Sequence, residues 1–384
     1  MPGQLVIRSA TSARTGDRID VHCVDGTIAA VGPDLNPVGA TVVDAENCIV
    51  GPGFVDIHVH GGGGASFFAR DASRLAAYSA WAPAHGVTAY LVSTAGRHPS
   101  DLARTLEGLA PAIGRASGAE SLGFHLEGPF LNPTRHGAFD PGTLRTPATR
   151  ELRRYLDAAE GKVRMVTLAP ELEGASALVT RLAQDGIVAA MGHSDATFQQ
   201  ARQAIETGVH HVTHLFNAMR PMHQREGGII AAAVLDGSVT CELICDGVHV
   251  APEMLRLACH LLGPDRIVAV TDNLHLAGAT TGDARFLGQE VDLSSGLAVR
   301  EDGTIVGSTL PMDGHFRTLV REVGLSLDEA FRACSSNPAR VLGLDARKGE
   351  IATGYDADIV LLDDALWPVL TVCRGEIAYR SIPA

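Results

Sequence analysis

Six residues whose side chains can bind metal ions or transfer protons stand at or just after the ends of short apolar runs. They are His58, His60, Glu127, His193, His214 and Asp272. Two neutral imidazoles and one carboxylate form a suitable binding set for zinc or a similar divalent ion, and they leave positions for water. A glutamate at a strand end is otherwise a costly buried charge, which a cation offsets. We therefore predict that Glu127, His193 and His214 hold a metal ion.

The remaining two histidines and the aspartate extend this prediction. His58 and His60 are separated by one residue, and side chains two apart on a strand share a face, so both imidazoles can aim at one point. Asp272 is predicted to be the catalytic acid/base, because a carboxylate beside an activated water can take its proton and return it to a departing nitrogen. That chemistry is amide hydrolysis. The alternatives are packed imidazoles, an ordinary salt bridge for Glu127 and a helix cap for Asp272.

These residues need a scaffold that brings several strand ends together. The sequence has eight short apolar runs, most of which end in a polar residue. They cover residues 54–60, 87–94, 122–127, 163–169, 187–193, 211–217, 240–246 and 267–272. Helix-like stretches at 73–85, 100–113, 147–159, 176–185, 197–207 and 252–262 separate most of them. This alternation predicts an α/β fold, a (β/α)8 TIM-type barrel, whose active site lies at the carboxyl ends of the strands.

The two chain ends follow a different pattern. Residues 4–48 and 355–380 alternate apolar and polar residues, as strands do, and each segment is short. The simplest proposal is that they pair with each other. We therefore predict a small β-sandwich domain built from residues 1–50 and 346–384, beside a barrel domain at 51–345.

Composition narrows the range of partners and compartments. The chain has 384 residues and a formal net charge of −13, without a basic tract, so nucleic acid and anionic membranes are not expected partners. It has no run of about 18 apolar residues, and its start lacks a basic stretch followed by an apolar one. Seven scattered cysteines fit reduced thiols. We expect a cytoplasmic protein.

The set of strand-end residues resembles the amidohydrolase superfamily. Longer strings are similar to the N-acetylglucosamine-6-phosphate deacetylase family within it, and they span nearly the whole chain. They are GFVD at 53–56, HLEGPFLN at 125–132, GHS at 192–194, THLFNAM at 213–219, DGVHV at 246–250, VTD at 270–272 and GSTL at 307–310. HLEGPFLN together with THLFNAM is far more specific than two histidines alone.

The resemblance implies a role for each matching residue. It makes Glu127, His193 and His214 metal ligands, Asp272 the catalytic residue, and His58 and His60 ligands of members with a second ion. The expected cofactor is one or two divalent ions, zinc first, with iron, manganese or cobalt as alternatives. The residues expected to contact substrate are Ala138, Asn217, Ala218, Arg225, His249, Ser308, Thr309 and Leu310.

The resemblance also implies an activity and an assembly. We expect hydrolysis of N-acetylglucosamine-6-phosphate to glucosamine-6-phosphate and acetate, in amino-sugar catabolism. Arg225 would bind the phosphate, since a guanidinium can donate two parallel hydrogen bonds to it. In the family the phosphate pocket is completed across a dimer interface, which implies a homodimer. The alternative for Arg225 is a solvated surface arginine.

Two departures from the family pattern leave other substrates open. Phe139 stands where a substrate-facing histidine is expected, and the loop at 273–278 is bulkier than usual. The nearest alternative is a deacetylase of N-acetylgalactosamine-6-phosphate or of another N-acyl amino sugar. A deaminase or cyclic amidase of the same superfamily is a second. A barrel that binds a sugar phosphate or a protein partner without catalysis is a third, which metal analysis would distinguish.

Overall fold

A computed structural model describes residues 3–95, 98–278, 285–286, 289–293 and 298–381. Its central feature is a sheet of eight parallel strands, each paired with the strands that precede and follow it along the chain. Barrel strands 1 to 8 are Phe54–Asp56, Val87–Thr94, Glu120–Glu127, Val163–Leu168, Val188–Met191, His211–Val212, Thr240–Ile244 and Ile267–Val270. The predicted eight-stranded α/β barrel is confirmed.

Helices cover the outside of this sheet, and the six predicted from the sequence are all present. The barrel helices before residue 300 are Ser73–Trp81, Pro99–Leu109, Thr149–Ala158, Ala175–Gln184, Phe198–Thr207, Gly228–Leu235 and Pro252–Leu262. Helices Met312–Thr318, Leu327–Phe331 and Asn337–Val341 follow strand 8, joined by π-helical turns at Leu319–Val323 and Arg332–Ser336. No helix in these described ranges has the length and apolar character needed to cross a membrane.

The barrel closes beyond the ends of its first and last strands. The N–H of Asp272 donates to the carbonyl oxygen of His58 at 2.8 Å, and the N–H of His60 donates to the carbonyl oxygen of Asn273 at 2.8 Å. The closure is therefore made by the backbone of three candidate site residues. Their side chains are held in register by the same contacts that complete the barrel.

Two barrel strands are shorter than the apolar runs that predicted them. Strand 1 ends at Asp56 and strand 6 at Val212, whereas the apolar runs continue to His60 and Asn217. In strand 6 the reason is backbone geometry. His214, Phe216 and Ala218 have φ angles of 30°, 80° and 47°, which take the chain out of the extended conformation.

Both chain ends contribute to one eight-stranded sheet, as predicted. Its members are Gln4–Ser12, Arg18–Val24, Thr27–Gly32, Thr41–Asp44, Ile49–Pro52, Ile359–Leu362, Pro368–Cys373 and Glu376–Arg380. Strand Ile49–Pro52 joins the two ends, since it pairs with Gln4–Ser12 on one side and Ile359–Leu362 on the other. Buried residues such as Ile7, Val21 and Leu370 form a hydrophobic core of its own.

Candidate metal centre and active site

Each predicted ligand lies at or just beyond the carboxyl end of a barrel strand. Glu127 is the last residue of strand 3, and His193, His214 and Asp272 lie two residues beyond strands 5, 6 and 8. The last three have positive φ angles of 48°, 30° and 50°. Non-glycine residues rarely adopt this region, and those that do cluster at functional sites. At these turns the three side chains converge around Glu127.

Four side chains form a first cluster, in which the ligand atoms all lie within 4.8 Å of one another. They belong to His58, His60, Glu127 and Asp272. Nε2 of His60 lies 3.0 Å from Oε2 of Glu127 and 3.3 Å from Oδ1 of Asp272. Nε2 of His58 lies 3.5 Å from Oε1 of Glu127 and 3.5 Å from Oδ1 of Asp272.

Glu127 also belongs to a second cluster with His193 and His214. The Nε2 atoms of these histidines lie 3.1 and 3.0 Å from Oε1 of Glu127, and 3.1 Å from each other. Oε2 of the same carboxylate faces His60. Glu127 is therefore shared by the two clusters.

In three of the four histidines the ring nitrogen that faces away from the clusters has an acceptor for its proton, whereas Nδ1 of His214 is buried without a hydrogen-bond partner. Nδ1 of His58 donates to Oε2 of Glu242 at 2.8 Å, Nδ1 of His60 to the carbonyl oxygen of Ser93 at 3.1 Å, and Nδ1 of His193 to that of Arg135 at 2.8 Å. In the neutral rings the Nε2 lone pairs are then directed into the clusters. Nε2 of His58 is buried without a hydrogen-bond partner.

This donor set fits a divalent cation. Buried, converging nitrogen and carboxylate lone pairs repel one another unless a proton or a metal ion lies between them. Burial opposes ionisation of Glu127, but the charge of His58 and hydrogen bonds from His193 and His214 hold its pKa well below its usual value. Burial also opposes protonation of His60, yet its hydrogen bonds to Asp272 and Glu127 raise its pKa to about 9.

A cavity of about 370 Å³ adjoins both clusters. His60, Glu127, His193, His214 and Asp272 form part of its wall, so a molecule in the cavity would contact the ligand atoms. Apolar residues predominate in the rest of the wall. It includes Ala138, Phe139, Asn217, Ala218, Ile244, Val248, His249, Leu274, Phe286 and Gly307.

Known proteins are similar in sequence to this chain over almost its whole length. The Amidohydrolase family matches residues 49–378. The chain belongs to this family. A solved structure of a mutant N-acetyl-D-glucosamine-6-phosphate deacetylase from Mycobacterium smegmatis, in complex with N-acetyl-D-glucosamine-6-phosphate, has a TM-score of 0.90 and 39% identity over 98% of this chain and 99% of that chain.

Two further relatives of this amidohydrolase bear on the sugar. The N-acetylglucosamine-6-phosphate deacetylase of Bacillus subtilis is 34% identical over 93% of this chain and 92% of that protein. The N-acetylgalactosamine-6-phosphate deacetylase of Escherichia coli O157:H7 is 34% identical over 94% of this chain and 95% of that protein. The predicted resemblance is confirmed at the level of the family.

The expected substrate contacts of the amidohydrolase are only partly assembled in one chain. Ala138, Asn217, Ala218 and His249 line the cavity. Ser308 follows the lining residue Gly307, and its N–H donates to the carbonyl oxygen of Asp272 at 3.0 Å; Thr309 and Leu310 come next along the chain. Arg225 is exposed in the turn between His223 and Glu226, two residues that form a β-bridge. It does not line the cavity of its own chain.

Asp246 holds His249 in place at the cavity wall. Its Oδ2 atom accepts hydrogen bonds from Nδ1 of His249 at 2.7 Å and from Oγ of Ser308 at 2.9 Å. Its Oδ1 atom accepts the backbone N–H of His249 at 2.8 Å. Burial opposes protonation of His249, but the hydrogen bond to Asp246 raises its pKa. The result is an imidazole beside the cavity whose protonation Asp246 favours.

Phe139 is a buried part of the cavity wall, with 6% of its surface exposed. Its ring centroid lies 5.2 Å from that of His193. His136, three positions before Phe139, donates from Nδ1 to the carbonyl oxygen of Phe139 at 2.7 Å. The amidohydrolase therefore presents an apolar ring where a polar one was expected.

Sequence reasoning missed one residue of this site, Glu242. It lies within strand 7, and its carboxylate contacts the rings of His58 and His211. The available signal was an acidic residue in the middle of an apolar strand, because such a charge needs a buried partner. His125 is buried nearby but belongs to neither cluster, and its ring nitrogens contact Ser93 and Thr167.

Proposed function

We propose that this amidohydrolase removes the acetyl group from N-acetylglucosamine-6-phosphate by metal-dependent hydrolysis, giving glucosamine-6-phosphate and acetate. The observation that carries the proposal is the pair of ligand clusters sharing Glu127 at the wall of a cavity that also holds Asp272 and His249. The relatives named for that activity cover nearly the whole chain. This reaction would be a step of amino-sugar catabolism.

The metal centre would be formed by the two clusters. His58, His60 and Glu127 would hold one ion, and Glu127, His193 and His214 would hold another. A divalent cation there supplies Lewis acidity, which polarises the amide carbonyl and lowers the pKa of a water. We propose zinc, because imidazole and carboxylate ligands suit it; iron, manganese and cobalt suit the same set, and metal analysis of the purified protein decides among them.

Asp272 would move the proton. Its carboxylate lies at the cavity wall, and its Oδ1 atom lies 3.5 Å from Nε2 of His58 and 3.3 Å from Nε2 of His60. It would accept a proton from the attacking water and deliver it to the amine nitrogen as the C–N bond breaks. The proton leaves water and arrives on the leaving group, so Asp272 returns to its ionised form at the end of each turnover.

His249 and Arg225 would recognise the phosphate. The ring of His249, whose protonation Asp246 favours, lines the cavity. A phosphate accepts charge-assisted hydrogen bonds from such donors. Asn217, Ala218, Ala138 and the chain around Ser308 would contact the sugar.

An assay across related substrates tests the proposal. Zinc-loaded protein would be mixed with N-acetylglucosamine-6-phosphate, its galactosamine epimer and unphosphorylated N-acetylglucosamine, and acetate release measured. We expect the glucosamine phosphate to be the best substrate, with kcat/KM about 10- to 100-fold lower without the phosphate, because charged hydrogen bonds are lost. Absence of acetate release by metal-loaded protein would reject the activity, and preference for the epimer would change the sugar.

We further propose that the enzyme is a homodimer in which Arg225 completes the partner's cavity. Arg225 is exposed and is not part of the cavity wall of its own chain, which a contact in trans would explain. Mixing two impaired variants, Asp272→Asn and Arg225→Ala, tests this. A mixed dimer would contain one cavity with both native residues, so activity should reappear; no recovery on subunit exchange would contradict the arrangement.

We also propose a cytoplasmic location. All seven cysteines are free, and six of them are buried. Free cysteines are usual in reducing compartments. Fractionation of the producing cells, with detection of the untagged chain by antibody, would test this location.

A further inference from the structure

Glu242 is a buried carboxylate inside the barrel, with no surface exposed. It lies on strand 7, two positions before the lining residue Ile244, and does not itself line the substrate cavity. An isolated buried carboxylate is costly, and even a paired one is often less stabilising than an apolar residue. Its partners therefore indicate what it does.

Both oxygens of Glu242 are engaged by groups of the metal centre or its support. Oε2 accepts the Nδ1 proton of His58 at 2.8 Å and the backbone N–H of His214 at 3.1 Å. Oε1 accepts the Nε2 proton of His211 at 3.1 Å. Nδ1 of His211 in turn lies 2.7 Å from Oγ1 of Thr240. The carboxylate is thus oriented from both sides.

The contact with His58 determines which nitrogen faces the first cluster. When Nδ1 carries the proton that Glu242 accepts, Nε2 of a neutral ring carries the lone pair. That Nε2 atom is buried and has no hydrogen-bond partner, although Glu127 and Asp272 lie 3.5 Å away. A carboxylate behind an imidazole also makes the ring a stronger ligand.

The contact with His214 supports the second cluster. His214 adopts a φ of 30°, a conformation that costs free energy in a non-glycine residue. The hydrogen bond from its N–H to Glu242 holds the backbone at this turn. Through two hydrogen bonds to one oxygen, Glu242 therefore reaches a candidate ligand of each metal position.

We infer that Glu242 is a positioning residue for both metal positions, which presents Nε2 of His58 to one ion and fixes the turn that carries His214 to the other. The inference rests on the metal dependence of the proposed function but not on the identity of its substrate. It assigns the strand 7 carboxylate a role without contact to substrate.

Zinc binding measured without substrate tests this inference. Protein stripped by a chelator would be titrated with zinc against a chromophoric competitor, and bound metal counted by mass spectrometry. Glu242→Gln keeps the shape and can keep an oxygen towards His58 and His214 while its amide faces His211. Glu242→Leu removes every acceptor. The matched control is Asp56→Asn. This carboxylate is equally buried and accepts from Thr271 and, at 3.4 Å, from the backbone N–H of His58, but it contacts no imidazole nitrogen, and the amide oxygen of Asn can keep the backbone contacts.

Wild-type protein is expected to bind two ions per chain. Glu242→Gln should weaken the ion at His58 by about 10- to 100-fold, the range found for residues behind a metal ligand. Glu242→Leu should weaken both ions, while Asp56→Asn should match the wild type. In a His58→Asn background, Glu242→Gln should change the affinity of the remaining ion by less than about threefold, because the residue through which it acts is gone.

Three outcomes would overturn the inference. The first is an unchanged zinc affinity in Glu242→Leu, and the second is an equal loss of zinc affinity in Asp56→Asn. The third is a His58→Asn variant that binds zinc as tightly as the wild type. Cobalt absorption spectra of the loaded variants give a further readout, since a misdirected His58 changes the ligand field, whereas general destabilisation does not. If no sugar is deacetylated, these binding results still decide the role of Glu242.

Discussion

Nε2 of His60 lies 3.3 Å from Oδ1 of Asp272, where the first and last barrel strands meet. Burial opposes ionisation of Asp272, but the charge of His58 and the hydrogen bond from His60 lower its pKa. The residue is thus kept as a carboxylate beside the candidate metal positions. A base in this place can be tested separately from the ligands around it.

Changing Asp272 to Asn is expected to lower kcat about 10²- to 10⁴-fold, because the amide cannot accept the proton of the attacking water. The metal ligands on strands 3, 5 and 6 are untouched, so zinc content should stay at the wild-type level. Acetate release and metal analysis on the same preparation check both halves. An active Asn variant would refute the role of Asp272.

Changing Glu127 to Ala is expected to remove metal from both positions, since its carboxylate belongs to both clusters. Activity should fall to background and should not return when zinc is added. Wild-type protein stripped by a chelator provides the control, because its activity should return with zinc. Stoichiometric metal in the Ala variant would mean that Glu127 does not bridge the clusters.

The raised pKa of His249 predicts a pH dependence of substrate binding. The ring is cationic below its raised pKa and loses its charge as the pH increases through it, so affinity for a phosphorylated sugar should fall there. KM should rise on the alkaline side, with a smaller change in kcat. In His249→Asn, KM should be higher and nearly independent of pH, whereas the exposed His260→Asn should behave as the wild type. A pH-independent wild-type KM would argue against phosphate binding by His249.

Much of the architecture could be predicted because the residues that can bind metal or transfer protons lie at the ends of the apolar runs that predict strands. Each candidate ligand lies close to a strand end, so the residue types alone indicated which end of the barrel carries the site. Helix Gly228–Leu235 escaped prediction because its sequence is apolar all round and has no amphipathic period. Strand 6 was predicted too long because the turn at His214 depends on backbone torsions, which an apolar run does not reveal.

The tertiary pairing inside the barrel was also beyond the sequence. Glu242 and His58 are 184 positions apart, and only the closed sheet brings them to 2.8 Å. Likewise, the family resemblance marked Arg225 as a phosphate donor, but only the fold shows that it lies outside the cavity wall of its own chain. Single residues at strand ends were predictable, whereas their supporting contacts required the fold.

Phe139 offers a test of sugar recognition. Phe139→His restores the residue expected from the family and is predicted to raise kcat/KM for N-acetylglucosamine-6-phosphate up to about tenfold, the value of one hydrogen bond to a sugar hydroxyl. Phe139→Leu, which stays apolar, should give no gain. Metal content should be unchanged in both, because the ring of Phe139 packs against His193 without binding its nitrogens. An equal or lower kcat/KM in the His variant would show that an apolar wall suits the native sugar.

Lys348 predicts how strongly the terminal sheet is tied to the barrel. Its buried ammonium lies 2.8 Å from carboxylates of Glu120, on strand 3, and Asp356, and it also pairs with Asp358, just before strand Ile359–Leu362. Lys348→Met leaves the buried carboxylate of Asp358 without its cation, while Arg347 still pairs with Glu120 and Asp356, so the free energy of unfolding should fall by about 3–5 kcal/mol. Urea unfolding checks this value.

The pH dependence of that loss separates charge from packing. Burial already raises the pKa of Asp358 despite the opposing charge of Lys348, and removing the cation should raise it further. A carboxyl whose folded pKa lies above its unfolded value destabilises the fold at high pH, and protonation relieves this as the pH falls. The deficit of Lys348→Met should therefore be smaller at pH about 5 than at pH about 8. Lys162→Met, at a partly exposed pair with Glu160, should cost less than about 1 kcal/mol at either pH. A deficit that does not change with pH would assign the effect of Lys348 to packing of its aliphatic chain.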